Sequence, residues 1–522
     1  MAVSMWLSWQ DQVSLSITDG EAIVSAPGAR LSLRSLGPEI LAAMQRLTPP
    51  GEQEENLEDS ILESGSVDSL ARWFYHVDQF RQRGLVRRSL HADGKRLVTL
   101  EHLRPSAAAL SRDTGANGSR PAEGDRVRPD GSSITGQSSI VGQSSTNGPS
   151  SIIGDTARQA FILSRFAFVR RKQREFVLES PLAPVRVILH DQLAMSVIAA
   201  LSTPATVSDV IDRTGGLSPG IVSAFLAILG DAGMIDNVNS EVDSPSSNFD
   251  FGDKRTLESW EFHDLMFHSR SRRGRSDGQF GGTYRFDDQP PPPAFKVSDA
   301  TDWHELYRPD LDQLERDDPP YALVQNRRRS IREYAAQPIS RRQLGEFLYR
   351  VARVTRVWLA EAPSPPGSST MDFAARPYPA AGGLHELEFY LIVNACQDLP
   401  NGLYHYDVQN HRLGRVSGPT RETELLLLDG ATSANMSSEI LQVQIVLAAR
   451  FARLAWKYES IAYSLILKDV GVVYQTMYLA ATAMGLAPCG LGCGDSDLFA
   501  RAAGLNYFVE SSVGEFLLGS KK

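Results

Sequence analysis

The sequence predicts an α+β protein of several domains, and three features carry that expectation. A helix followed by a hairpin closes the first hundred residues, the same kind of unit returns between Arg158 and Val238, and residues 299–522 alternate apolar strands with helices. The chain is 522 residues long, 42% hydrophobic and 22% charged, which is apolar material for three or four cores at roughly 100–200 residues per domain. A formal net charge of −9 argues against a chain-wide basic field for nucleic acid or an anionic membrane. Three cysteines, Cys396, Cys489 and Cys493, exclude a disulfide scaffold and point to a reducing compartment, the cytoplasm. Residues 1–14 lack the basic-then-apolar succession of a secretory signal. The uncharged run Val470–Gly494 is broken by glycines and Pro488 after about fifteen residues, short of the ~20 a membrane span needs, so it reads as a buried helix.

Residues 1–105 are expected to form a first small α+β domain. Alternation in Val13–Ile17 and Leu31–Leu33 reads as strands. Ser66 is placed to cap a helix running to Arg83, with Leu70, Trp73, Phe74, Val77 and Phe80 as its apolar stripe. Asp93–Gly94 then turns a hairpin between Leu85–Val86 and Leu97–Leu100, which completes a winged-helix outline. Residues 106–157 are rich in Ser and Gly and carry a six-residue repeat between Ser132 and Gly154, a composition that predicts a disordered linker.

A second winged-helix-like domain is expected over residues 158–240. Phe161–Phe168, Phe176–Glu179 and Val185–Leu189 read as strands, and Val207–Arg213 as a short helix. Ser218 with Pro219 starts a second helix that runs to Ala232 and contains no Lys or Arg. A DNA reader needs phosphate and base donors there, so peptide or partner binding, or scaffolding, is the expected role. The stretch 244–293 reads as a second join, ending in Pro290–Pro293, and its arginines (Arg270, Arg272, Arg273, Arg275) as a solvated arm.

The chemistry is concentrated after residue 299. Arg327–Arg328–Arg329–Ser330–Ile331–Arg332 packs four guanidinium groups and a hydroxyl into six positions, either an anion site or a solvated basic turn. Tyr378–Pro379–Ala380–Ala381–Gly382–Gly383–Leu384–His385 is a small-residue loop running into the apolar strand Leu387–Asn394, a shape that lets backbone approach a flat ligand. Lys457–Tyr458 precedes the buried helix, which ends in the glycine-rich turn Gly485–Asp495. Cys489 and Cys493 have no second pair or histidine nearby, so no metal site is expected.

Taken in order, these motifs resemble those of the nitroreductase-like flavoproteins and, among them, the SagB-type dehydrogenases, the azoline oxidases of ribosomal peptides. The resemblance spans about Trp260 to Gly519 and includes Lys468–Asp469–Val470–Gly471, Gln475 and Glu515–Gly519. It implies an α+β homodimer with FMN at the subunit interface, in a C-terminal domain of residues 250–522. Arg328, Arg329, Ser330 and Arg332 would hold the phosphate and ribityl side, Pro379, Ala380 and Gly382 would border the flavin, and Leu491 and Gly492 would approach its ring. Ala380 stands where the family usually has serine, so one hydroxyl contact is missing. Lys457–Tyr458 matches the family's Lys–Tyr pair implicated in azoline oxidation, with Tyr458 expected to be the base, its pKa lowered by Lys457, or Lys457 itself. Two winged-helix modules ahead of such a domain resemble the cyanobactin-type thiazoline oxidases and imply recognition of an azoline-containing precursor peptide, with a cyclodehydratase as a further partner. The competing readings are an NAD(P)H-dependent nitro or quinone reductase, a peptide-binding module with a decayed oxidase half, and a DNA-binding regulator.

Overall fold

The computed structural model describes residues 2–18, 20–26, 29–103, 159–238, 254–272, 275, 279–361, 370–436 and 441–522. The six-residue repeat and the rest of the linker expected at 106–157 lie outside the described residues. The chain divides into two compact units, Met1–Asp277 and Gly278–Lys522.

In the first unit, β1 (Val3–Trp9), β2 (Val86–Ala92), β3 (Lys95–His102), β4 (Phe168–Lys172), β5 (Glu175–Glu179) and β6 (Val185–Leu189) belong to one antiparallel sheet, with Glu52–Gln53 outside β1 and the order β1-β2-β3-β6-β5-β4 after it. The register of β3 on β6 runs from Val98 opposite Leu189 to His102 opposite Val185, so the two segments read as separate modules share a sheet. A separate three-stranded sheet is made by Ser14–Thr18, Glu21–Ala26 and Ala29–Leu33. Helix α1 (Val67–Gln82) starts where expected, its first turn closed by the Ser66 hydroxyl accepting from Ser69 N at 3.2 Å. It buries Trp73, Val77 and Phe80, whereas Phe74, one ~100° step round the helix from Trp73, is exposed.

The strand expected over Phe161–Phe168 is two strands. Phe161–Leu163 pairs with Ile235–Asn237, and a turn closed by Ala167 N donating to Ser164 O separates it from β4. Helix α2 (Pro219–Asp231) buries Ile221, Val222, Phe225, Leu226, Ile228 and Leu229, so its lack of cations is that of a core helix. Of the arginines of the join, Arg272 and Arg275 are exposed, as expected of a solvated arm, and Arg275 also donates to Pro181 O (2.9 Å) and Leu182 O (3.1 Å).

The second unit is a sheet covered by helices on both faces. Its strands are β7 (Trp303–Glu305), β8 (Leu387–Val393), β9 (Gly402–Asp407), β10 (Arg412–Ser417), β11 (Val443–Arg450), β12 (Leu486–Gly490) and β13 (Glu510–Ser520). They pair antiparallel in the order β7-β10-β9-β8-β11-β13-β12. Every residue of the central strand β8 is buried. Alternation along it sends Phe389 and Leu391 into a core shared with α3 (Arg341–Ala352) and α5 (Ala462–Ala483). Tyr390 and Ile392 face the other way, onto α4 (Arg421–Ser433) and α6 (Ser496–Ala503). Helix α5 is the buried helix expected from Val470, begun two turns earlier, and it supplies Ala481 and, each worth up to ~1.5–3 kcal/mol of burial, Ile466, Val470, Val473 and Met477 to the core. It runs beneath both motif-bearing loops.

Candidate active site

The loop before β8 makes one tight turn at Ala381–Gly383, with Gly382 at φ +60° and Gly383 at φ +70°. A side chain at Gly382 would collide with the Lys–Tyr pair: a Cβ there would lie 2.6 Å from Tyr458 Oη and 2.8 Å from Lys457 Nζ. Bare backbone is therefore what the pair faces. The turn is pinned from below by Ala381 N donating to Asp469 Oδ2 on α5 at 2.8 Å. Ala380 packs against the main core and Pro379 is exposed. The structure thus brings Gly382, Lys457 and Tyr458 together, with Asp469 behind them.

Burial governs the titration of this pair. It lowers the Lys457 amine below its ordinary value. It also raises the Tyr458 hydroxyl, with Tyr284 and Asp469 pushing the same way. The expectation that Lys457 depresses the Tyr458 pKa is overturned: burial of the phenol, with Tyr284 and Asp469 beside it, moves it the other way.

Two further acids bear on the loop. Glu386 is fully buried and neither of its oxygens has a donor, while Asp469 stands beside it. Burial and the Asp469 charge hold the Glu386 carboxyl well above the usual range, so Glu386 keeps its proton and shares it with Asp469. His385 is held neutral, its pKa pushed down to about 3 by burial and by Arg376 and Arg453. Glu386 was not foreseen, and nothing local could have revealed it: its partner lies 83 positions along the chain.

The arginine segment lies at the other end of α5. Ser330 Oγ is 2.7 Å from Tyr478 Oη, which also accepts from Gly490 N at 2.7 Å. The Arg328 guanidinium lies 5.3 Å from the Tyr478 ring centre, and Ile331 N donates to Pro488 O at 2.8 Å. Leu491 is buried and fixed by its N–H to Glu515 O (2.9 Å), whereas Gly492, Arg329 and Arg332 are exposed. None of Arg328, Arg329 and Arg332 forms an ion pair with a carboxylate among the described residues. Of the three, Arg328 shares Tyr478 with the Ser330 hydroxyl and Arg332 reaches the Cys489 thiol; guanidinium groups without carboxylate partners and a hydroxyl are residue types that suit a phosphate. Tyr478 is nine residues beyond Asp469, about 13.5 Å along the helix, so one chain presents the two groups of candidate residues at two levels of α5. Among the described residues no three His, Cys, Asp or Glu gather as a metal site, and no helix is long and apolar enough to cross a membrane.

Residues 326–518, which hold the glycine turn entering the central strand, the arginine segment and the buried helix, match the nitroreductase family, and this match places the C-terminal unit in the nitroreductase-like class of oxidoreductases. Residues 1–108 match the ThcOx helix-turn-helix domain and residues 161–277 the cyanobactin oxidase ThcOx, so the chain has the domain composition of a SagB-type oxidase. It is 28% identical over 191 residues to a protein of Methanocaldococcus jannaschii named as a nitroreductase, a match covering 37% of this chain and 85% of that one. It is 26% identical over 154 residues to the trifolitoxin-processing protein TfxB of Rhizobium leguminosarum bv. trifolii, covering 29% of this chain and 41% of that one. Among solved structures, a nitroreductase of Ralstonia eutropha matches at 20% identity and TM-score 0.33, over 45% of this chain and 98% of that one. The Escherichia coli microcin synthetase McbBCD complex with truncated pro-MccB17 bound matches at 18% identity and TM-score 0.30, over 44% of this chain and 78% of that one.

Proposed function

We propose that this protein is an FMN-dependent dehydrogenase that converts thiazolines or oxazolines to thiazoles or oxazoles in a ribosomally made precursor peptide. The observation that carries this reading is the meeting of Lys457 and Tyr458 with the bare backbone of Gly382. Aromatising an azoline removes a proton from carbon, which calls for a base beside the hydride acceptor; reduction of a nitro group or quinone does not.

FMN would be held by Arg328, Arg329, Ser330 and Arg332 at its phosphate and ribityl side, by Pro379, Ala380 and Gly382 along the ring, and by Leu491 and Gly492 near the ring. When bound, FMN would supply the hydride acceptor, with O2 as the terminal two-electron oxidant. Lys457 Nζ takes the proton from the carbon α to the downstream carbonyl, and its burial shifts the amine towards the neutral form that this task needs. The Tyr458 hydroxyl, held protonated, donates a hydrogen bond to the substrate ring. The turn at Ala381–Gly383, pinned to Asp469, keeps both groups on a fixed floor.

The name of the trifolitoxin-processing relative favours a peptide substrate, and a cyclodehydratase is the partner class whose chemistry makes azolines. Recognition of the peptide falls to the N-terminal unit, where the three-stranded sheet has Ser14–Thr18 and Ala29–Leu33 as edges for strand addition. A second copy of the chain would cover the side of α5 where Tyr463 and Leu467, one turn apart, are 48% and 39% exposed. Three cysteines with no disulfide among them suit the cytoplasm. The class is tested by the absorption spectrum of the purified protein: a flavin band in the blue supports it, and a colourless protein that takes up no FMN refutes it. Rapid bleaching of that band by NADPH without peptide would instead favour a nitro or quinone reductase.

A further inference from the structure

Residues 279–294 precede the part of the chain that matches the nitroreductase family, yet they are tied to the Lys457–Tyr458 region along their length. Gly281–Gly282 pairs antiparallel with Tyr458–Glu459. Tyr284 N donates to Lys457 O (3.1 Å), Thr283 Oγ1 to Glu459 Oε2 (3.1 Å) and Ser460 Oγ to Gln279 O (2.9 Å). Trp456 Nε1 donates to Gln289 O (3.0 Å), and Arg450 holds Pro293 O and Ala294 O at 2.7 and 2.9 Å. The fully buried Arg453 reaches Pro292 O. The proline run has no N–H groups of its own to donate, so these arginines hold it by its carbonyls.

Within this strap one residue is out of the ordinary. Tyr284 sits at φ +54°, a left-handed conformation that a bulky side chain adopts only at a steric cost. Its ring stands edge-on to Trp456, centroids 5.7 Å apart. Lys457 Nζ lies 5.7 Å from the centre of the Tyr284 ring and 5.2 Å from that of Tyr458. A Cβ at Gly282 would fall 3.9 Å from an atom of each of the two tyrosine rings, so both rings flank the Gly282 backbone. Strained backbone of this kind persists where the position of the side chain matters, and it accumulates at active sites.

We propose that Tyr284 is a positioning residue of the candidate site: its ring, brought forward by the left-handed backbone, confines Lys457 Nζ between itself and Tyr458 and aims the amine at Gly382. The proposal rests on Lys457 being the working base. It adds a site residue from outside the nitroreductase-matched region, and it assigns a task to the strap.

The full-length chain contains eight lysines, few enough for each 13C-dimethylated lysine to be assigned by substitution. In the wild type the Lys457 signal is displaced by the currents of the two rings. Tyr284→Leu is expected to move that signal towards the position of the exposed lysines, and Tyr284→Phe to leave it in place. With FMN bound and an azoline peptide as substrate, Tyr284→Leu should lower kcat by about tenfold or more with KM within about threefold, and Tyr284→Phe should retain the wild-type rate. Tyr284→Gly, which accepts the left-handed backbone without strain, gives the same readouts if the leucine variant fails to fold. A Lys457 signal unmoved in both ring-less variants, or unchanged kcat in them, overturns the proposal. A shifted signal in a protein that oxidises no azoline supports the positioning role and refutes the proposed function instead.

Discussion

Exchanging either glycine of the turn for alanine separates backbone strain from the placement of the Lys–Tyr pair. Gly382 and Gly383 share the left-handed conformation, at φ +60° and +70°. Each alanine therefore costs ~1–2 kcal/mol of stability, which for a unit of this size lowers Tm by ~2–8 °C. Their surroundings differ. A Cβ at Gly383 meets Phe373 at 3.7 Å and Trp358 at 4.0 Å, ordinary packing distances. At Gly382 it meets Tyr458 Oη at 2.6 Å and Lys457 Nζ at 2.8 Å, closer than a methyl group can approach, so both tips must retreat by several tenths of an ångström or more. Misplacement of a reacting group by ~1 Å costs on the order of 10²-fold in rate. The two variants should thus melt alike, while azoline oxidation falls ~10²-fold in Gly382→Ala and by no more than ~3-fold in Gly383→Ala. The assay is a thermal melt beside single-turnover oxidation of an azoline peptide with FMN supplied in excess. Equal rates in the two variants would refute the claim that the pair works against the Gly382 backbone.

Lys457→Ala should lower the oxidation rate by ~10²–10⁴-fold and Tyr458→Phe by less, with the flavin spectrum of both unchanged; a fully active, flavin-loaded Lys457→Ala protein contradicts the base assignment. Ala380→Ser restores a hydroxyl to the loop and should tighten FMN binding by ~2–10-fold, measured by fluorescence titration, as one added hydrogen bond is worth ~0.5–1.5 kcal/mol; unchanged affinity would show that the loop does not border the ring at this position. The Glu386–Asp469 pair gives stability a pH dependence. The Glu386 carboxyl is raised in the folded chain from 4.5 to about 8, so its contribution is fully present below pH 4.5 and is lost as pH climbs to about 8. Tm should fall over that window in the wild type and fall less in Glu386→Gln; parallel slopes would remove the shared proton. Arg453 has no exposed surface and donates to Leu384 O, Asp372 and Pro292 O, so Arg453→Met should destabilise by ~3–5 kcal/mol, read in a denaturant melt; a loss below ~1 kcal/mol would show that the buried network is dispensable.

Features set by neighbouring residues were legible in the sequence. Ser66 caps α1, Pro219 opens α2, Leu387–Val393 is a buried strand, and α5 is a core helix because short-range pattern and chain chemistry demand each. The same holds for the candidate motifs, since Arg328–Arg332, Pro379–Gly383 and Lys457–Tyr458 are each contiguous. What escaped depends on pairing between distant segments. The union of β3 with β6 joins residues about 85 apart, and the Tyr284 strap reaches Lys457 across more than 170. Charge adjacency in sequence also misled: Lys457 next to Tyr458 suggested an acidic phenol, but burial of the whole pair reverses the direction. The single strand read at Phe161–Phe168 failed because Ser164 and Arg165 break the apolar run, and a turn is made there.

The central claim is that this chain, with FMN, aromatises azolines by means of Lys457. It is tested most directly by mass spectrometry of an azoline-containing peptide incubated in air with the FMN-loaded wild type and with Lys457→Ala. The account predicts a loss of about 2 Da, two hydrogens per ring, with the wild type and almost none over the same time with the variant. A peptide whose mass does not change with a flavin-loaded wild type, or that loses the hydrogens equally with both proteins, would contradict it.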